Sequence, residues 1–183
     1  MNKILAVVSM CGSGKSEVVK LLVAKKFQRV YFGTATFEEM KKNNLPITEA
    51  NERATRENLR KKYGMAAMAV LNLDLIKNKI KLGNVVVESL YSWEEYKLLA
   101  ETFPNQVSII AIHAPKEQRY QRLSTRPVRP YTREEVISRD FSQIENLHTG
   151  GPIAYADFLI VNDKTLTELS QEVDKIVSIL EDK

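Results

Sequence analysis

The sequence predicts an α/β fold with a mainly five-stranded parallel sheet covered by helices on both faces. Short apolar runs at residues 4–8, 29–32, 85–87, 107–112 and 158–161 have the length and composition of buried strands. Helical patterns lie between them, and strands that alternate with helices build parallel sheets with both faces covered. Ser or Thr followed three residues later by Glu marks helix starts at Thr36 with Glu39, Ser92 with Glu95, Thr132 with Glu135 and Thr165 with Glu168. At 183 residues, 44% hydrophobic and 27% charged, the chain suits one domain, 1–183, with a substantial core.

The first strand runs straight into Ser9-Met10-Cys11-Gly12-Ser13-Gly14-Lys15-Ser16, and an amphipathic segment with Val18, Val19, Leu21, Leu22 and Val23 follows. Strand, glycine-rich turn and helix in that order are the setting of a phosphate-binding P-loop. The glycines let backbone N–H groups curl around phosphates, Lys15 supplies a mobile cation, and the Ser16 hydroxyl suits a phosphate-bound Mg²⁺. The nucleotide-binding segment is therefore Gly12, Ser13, Gly14, Lys15, Ser16 and Glu17, and the fold class narrows to a three-layer P-loop NTPase. Ser9 stands where the usual G-x-x-x-x-G-K-[ST] pattern has its first glycine. The single cysteine, Cys11, lies inside this turn and has no partner for an internal disulfide; redox sensitivity is its functional alternative.

After the second strand comes a helical insertion over 48–80, in which Thr48 opens a segment reaching Gly64 and a second segment, 65–80, ends at Gly83. Arg53, Arg56 and Arg60 recur at i, i+3 and i+7 and share one helix face. They either grip an acceptor's phosphate, Arg60 foremost, or belong with Glu52, Glu57 and Lys61 to a solvated mixed-charge face. Glu88 closes the third strand, at the carboxyl end where ligands of open α/β sheets collect. As a site residue it holds a metal-bound water or takes a proton from an acceptor hydroxyl. Otherwise it is a helix-entry carboxylate near the Ser92 cap.

In residues 116–133, Lys116, Arg119, Arg122, Arg126, Arg129 and Arg133 face only Glu117, so the net charge of +4 is concentrated there. An excess so confined suits closure over a compact anion better than tracking of a nucleic acid. Pro127 and Pro130 end the preceding helix near Thr125 and force a loop. The segment 119–133 thus reads as an arginine-rich lid that closes over transferring phosphate and excludes water. Arg139, on the next helix, is a further candidate, with Asp140 or Glu135 as its alternative ion-pair partners. His113 and His148 lack metal-ligand spacing. No apolar stretch approaches the ~20 residues that span a bilayer. With no cleavable leader recognisable, a cytoplasmic location without membrane or nucleic-acid partners is expected.

The order P-loop, inserted helices, strand-end carboxylate, arginine-rich lid and final strand resembles the nucleoside monophosphate kinase and dephospho-CoA kinase group over nearly the whole chain. Leu59-Arg60-Lys61-Lys62-Tyr63-Gly64, Ser92-Trp93-Glu94-Glu95, Ile112-His113-Ala114-Pro115, Arg119-Tyr120-Gln121-Arg122-Leu123, Arg139-Asp140 and Ala156-Asp157-Phe158-Leu159-Ile160-Val161-Asn162 are most similar to an adenylate-kinase-related branch typical of archaea. The resemblance implies ATP and Mg²⁺ as cofactors, Arg122 over the adenine ring, Arg126 and Arg139 at the transferring phosphates, and a base-side loop from Asn162 to Thr165. Two departures fall on the acceptor side. Gly33-Thr34-Ala35-Thr36-Phe37 stands where the branch has Gly-Asp-x-x-Arg, and Glu88-Ser89-Leu90-Tyr91 where it has Asp-Gly-x-Arg. The acceptor site is expected around Thr34, Phe37, Tyr91 and Arg60, with aromatic rings in place of phosphate-holding arginines.

The expected activity is ATP-dependent phosphotransfer to a nucleotide or nucleotide-like small molecule. Lys15, Glu88, Arg126 and Arg139 are its catalytic residues, and Ser16 and Glu88 its metal ligands. A dephospho-CoA-type hydroxyl kinase and a nucleotide-binding regulatory protein are the alternatives.

Overall fold

All five strands pair in parallel, in the order β2-β3-β1-β4-β5. The computed structural model describes residues 1–181. Along the chain it runs β1 (Ile4–Ser9), α1 (Lys15–Ala24), β2 (Gln28–Tyr31), α2 (Thr34–Lys42), α3 (Glu49–Tyr63) and α4 (Ala67–Lys79). Then follow β3 (Val85–Glu88), α5 (Trp93–Thr102), β4 (Val107–His113), α6 (Lys116–Thr125), α7 (Arg133–Phe141), a π-helical turn (Ser142–Asn146), α8 (Gly150–Ala154), β5 (Phe158–Val161) and α9 (Leu166–Glu181). The expected strands agree with these to within a residue or two.

Each central strand is apolar on both sides because both faces are covered. Ile4, Ala6 and Val8 of β1 pack with Val85 and Val87 against α3, α4 and α5, while Leu5, Val7 and Val86 pack against α1 and α9. A parallel sheet buried in this way reads in sequence as an unbroken apolar run. A third, smaller cluster joins Tyr120, Leu123 and Val136 with partly buried Cys11, and so seats α6 and α7 on the turn after β1.

Three of the four expected helix caps form. Ser92 with Glu95 and Thr132 with Glu135 make full capping boxes, and Thr165 and Glu168 exchange the corresponding bonds at the head of α9. Thr48 likewise accepts from the amide of Asn51 and opens α3. The fourth expectation is corrected: α2 begins at Thr34 with Gly33 as its N-cap and no side-chain cap. Thr36 is already the third helical residue, and its buried hydroxyl faces the sulfur of Met68 at 4.0 Å. Inward burial of that side chain outweighs its local capping tendency.

The topology places the site. In parallel register Val7 pairs with Glu88, so the turn after β1 and the end of β3 lie side by side at the carboxyl edge of the sheet. The chain proceeds from β1 to β2 and β3 on one side and to β4 and β5 on the other. The crevice between β1 and β3 is thus the switch point where open α/β sheets bind ligands.

Candidate active site

The turn after β1 is built to stay open. Gly12 and Gly14 adopt φ of 84° and 98°, a left-handed region that L side chains rarely enter. A Cβ on Gly12 would meet the carbonyl of Arg119 at 2.8 Å, and one on Gly14 would collide with Nδ2 of Asn162. Lys15 begins α1, whose opening amides have no carbonyl within the helix to bond, and Gly14 provides no side-chain cap. The arrangement presents backbone N–H groups and the positive end of the helix to an anion.

Three side chains hold the turn from behind. Nδ2 of Asn162 donates to the carbonyl of Ser13 at 2.8 Å, Arg119 donates to that of Cys11 at 2.9 Å, and Gln143 spans Cys11 N–H and the Ser9 carbonyl. Arg119 was expected in the mobile lid, and that expectation is corrected. It is buried and makes a bidentate pair with buried Asp140 at 2.9 and 2.6 Å, to which the Tyr120 hydroxyl also donates. Burial opposes the guanidinium's charge, but the hydrogen bonds and charge of Asp140 outweigh it and raise its pKa. Asp140 is therefore not the partner of Arg139. Cys11 contributes its backbone to this bracing and packs its partly buried side chain against α6 and α7.

Lys15 and Glu88 do come together. Lys15 Nζ lies 3.4 Å from Oε1 of Glu88 and donates to the Ser89 hydroxyl at 3.0 Å. Ser16 is exposed on the first turn of α1, and the side chain of Glu17 pairs with Lys20. Ser89, which sequence reasoning missed, is buried with φ of 74°, a strained setting for a residue that is not glycine. The glycine that the similar branch carries at this position was the available signal. Arg122 donates to the carbonyl of Asn162 at 3.0 Å, which places both expected base-side residues beside the turn.

The lid loop leaves α6 at Thr125, as the prolines require. The Arg126 guanidinium stacks over the Tyr131 ring at 4.2 Å, and Arg139 donates to the Tyr131 hydroxyl at 3.0 Å. Arg129 crosses to α3 and bonds Glu52 at 2.9 Å. Glu52, read in the sequence as part of a solvated face, is buried; nothing local marks its contact across 77 positions.

Beside this region a cleft of about 880 Å³ opens between α2, α3, the end of β3 and α7. Phe37, Tyr91 and Arg60 line it as expected, together with Tyr31, Met65 and Met68; Thr34 does not, and Thr36 faces it instead. Two of the three arginines on α3 are already paired, Arg53 with Glu57 at 3.0 Å and Arg56 with Glu52 at 3.5 Å. Arg60 differs. It is largely buried, its Nε has no hydrogen-bond partner among the described residues, and desolvation lowers its pKa against the opposing charge of Glu95.

Glu95 is fully buried at the head of α5, where its Oε2 accepts the amides of Tyr91 and Ser92 at 2.8 and 3.1 Å. Burial pushes its carboxyl up to about 7, although those bonds and Arg60 favour the anion.

Two outcomes follow from these buried charges. Asp140→Ala strands Arg119 in the core, and chemical denaturation should find it less stable by about 3–5 kcal/mol; a loss under about 1 kcal/mol would deny the brace. For Glu95 the folded pKa lies above its ordinary 4.5, so between about pH 4.5 and 7 the folded protein binds more protons than the unfolded chain. Its stabilising share is complete below pH 4.5 and lost as pH rises through 7. Relative to Glu95→Gln, wild-type stability should fall across this window by on the order of 3 kcal/mol, and parallel stability profiles would contradict it.

Comparison with known proteins agrees with the geometry. Residues 5–146 match the AAA domain family. The UPF0200 protein TK1334 of Thermococcus kodakarensis is 34% identical over 178 residues, covering 95% of this chain and 96% of the relative. Among solved structures, TT1252 from Thermus thermophilus superposes with a TM-score of 0.66 at 20% identity, over 98% of both chains. The dephospho-CoA kinase from Campylobacter jejuni does so with 0.55 at 18% identity, over 97% of this chain and 96% of its own. Among the described residues no helix is long and apolar enough to cross a membrane. The fold is that of the P-loop kinase group, and the chain belongs to the AAA domain family and is related over nearly its whole length to the UPF0200 proteins.

Proposed function

We propose that this protein transfers the γ-phosphoryl group of ATP to the phosphate of a nucleotide or nucleotide-like small molecule. The observation that carries the reading is the position of Lys15. It sits at the head of α1 beside Glu88 and Ser89, and Ser89 also lines the aromatic and arginine-bearing cleft. Donor and acceptor regions therefore meet at one point. Dephospho-CoA kinase activity of a structural neighbour supports phosphotransfer as a class without naming this acceptor.

In this reading Gly12, Ser13, Gly14, Lys15 and Ser16 receive the triphosphate through backbone amides, and Lys15 turns from Glu88 to the phosphates. The Ser16 hydroxyl and the Glu88 carboxylate are hard oxygen donors on neighbouring elements, a set that fits Mg²⁺, which keeps most of its ligands from phosphate and water. When bound, the ion neutralises charge on the donor phosphates. Arg126 and Arg139, gathered on Tyr131 at the cleft, supply guanidinium groups for the transferring phosphoryl group. Arg122 and Asn162 border the base.

On the acceptor side, Arg60 holds the phosphate, because Arg53 and Arg56 are already paired with carboxylates. Tyr31, Phe37 and Tyr91 offer surface for a planar base. A phosphate acceptor needs no general base, and this favours it over a hydroxyl acceptor. Glu88 already has cations on both carboxylate oxygens, so neither is left open to a hydroxyl proton.

A coupled ADP-release assay over nucleoside monophosphates, deoxynucleotides and dephospho-CoA tests the reading. A monophosphate should stimulate release severalfold; stimulation by dephospho-CoA alone would turn the reading to the hydroxyl kinase, and none at all to a regulatory ATP-binding protein. Lys15→Ala should remain folded and lose at least about tenfold in affinity for a non-hydrolysable ATP analogue. Calorimetry reads this directly, and undiminished affinity would end the P-loop assignment. Arg60→Ala should raise the acceptor KM about tenfold with ATP binding unchanged, and unaltered acceptor kinetics would remove Arg60 from the phosphate subsite.

A further inference from the structure

Arg29 enters the site from a direction that no phosphate-binding motif marks. It lies on β2, an edge strand, in register with Val86, while Tyr31 is in register with Glu88. Residues 29 and 31 point to one face of the pleat, and the extended arginine reaches up that face to the strand-end carboxylate. Its Nε and Nη2 lie 2.7 and 2.6 Å from the same oxygen, Oε2 of Glu88. The other oxygen, Oε1, faces Lys15 Nζ at 3.4 Å. Both contacts fall on Oε2, which leaves Oε1 to Lys15.

Exposure distinguishes the partners. The Glu88 side chain is 7% exposed and that of Arg29 51%. Arg29 keeps its hydration while it pairs, whereas Glu88 depends on its counter-ions, since a buried charge left alone costs several kcal/mol.

Lys15 must serve two anions in turn, Glu88 in the free protein and the triphosphate in the complex. Were it the sole counter-ion of Glu88, moving to the phosphates would strand a buried carboxylate, and that cost would be subtracted from nucleotide affinity. We propose that Arg29 is a positioning residue that stays on Oε2 of Glu88 when Lys15 moves to the phosphates, so that Glu88 never lacks a partner. Arg29 acts only through Glu88 and touches no ligand. The proposal rests on the triphosphate-site reading above and extends it to the edge of the sheet.

Calorimetric titration with ATP, in EDTA and in Mg²⁺, tests this on the full chain. In EDTA, Arg29→Met should weaken binding about tenfold, or about 1.4 kcal/mol. In Mg²⁺ a second cation stands near Glu88, and the loss should shrink to about threefold or less. Arg29→Lys should restore most of the affinity. In a Glu88→Gln background, confirmed as folded by its thermal transition, adding Arg29→Met should change binding less than about twofold, the mark of two residues acting as one unit. Equal losses in EDTA and Mg²⁺, a loss that persists in the Glu88→Gln background, or no loss at all would each overturn the proposal. Wild-type protein that binds no ATP in either condition would instead overturn the triphosphate-site reading beneath it.

Discussion

Three carbonyl oxygens, those of Ser9, Cys11 and Ser13, carry the site. A loop that leaves most of its amides to an anion must be held largely by its carbonyls. Here alternate carbonyls are bonded from behind by Gln143, Arg119 and Asn162. The holders come from the π-helical turn, α6 and the end of β5, all on the β4 side of the sheet. The strand order therefore serves the loop as much as the core.

The same bracing fixes the base of α6. Arg119 lies deep, tied to Asp140 and to the loop, and Gly12 packs against its carbonyl and against Leu123. The base of α6 is thereby packed into the turn after β1. Beyond Thr125 the proline-interrupted loop sets its arginines on Tyr131 and on Glu52. Arg129 and Arg56 both bond Glu52, so lid and inserted helix share a carboxylate across the cleft.

The cleft between α2, α3 and α7 is close to charge balance, because Glu52 and Glu57 accompany the arginines of α3. What stands apart is the partly buried Arg60 opposite the buried Glu95. Glu95 also fixes the segment carrying Tyr91 through two backbone bonds, so the cap of α5, the placement of an aromatic wall and the field at Arg60 depend on one carboxylate. Aromatic rings at Phe37 and Tyr91 trade charge for stacking surface.

Strands, caps and the phosphate-binding turn were legible in the sequence because each rests on local physics: apolar runs, Ser/Thr–Glu spacing, and glycines between a strand and a helix. Locality also explains the error at Thr36, where inward packing overrode a capping pattern. Roles decided by distant contacts were not legible. Six arginines and lysines in one segment look alike in sequence, yet Arg119 is buried on Asp140 while Arg129 crosses to Glu52, and only the fold brings these carboxylates to them. Arg29 and Glu88 lie 59 positions apart and meet through strand register, and Gln143 reaches the loop across more than 130. The sequence by itself determined which chemistry stands at the end of β1. Which charges brace that chemistry, and which are left to meet a ligand, was decided by the tertiary structure, because burial and pairing belong to the packed molecule.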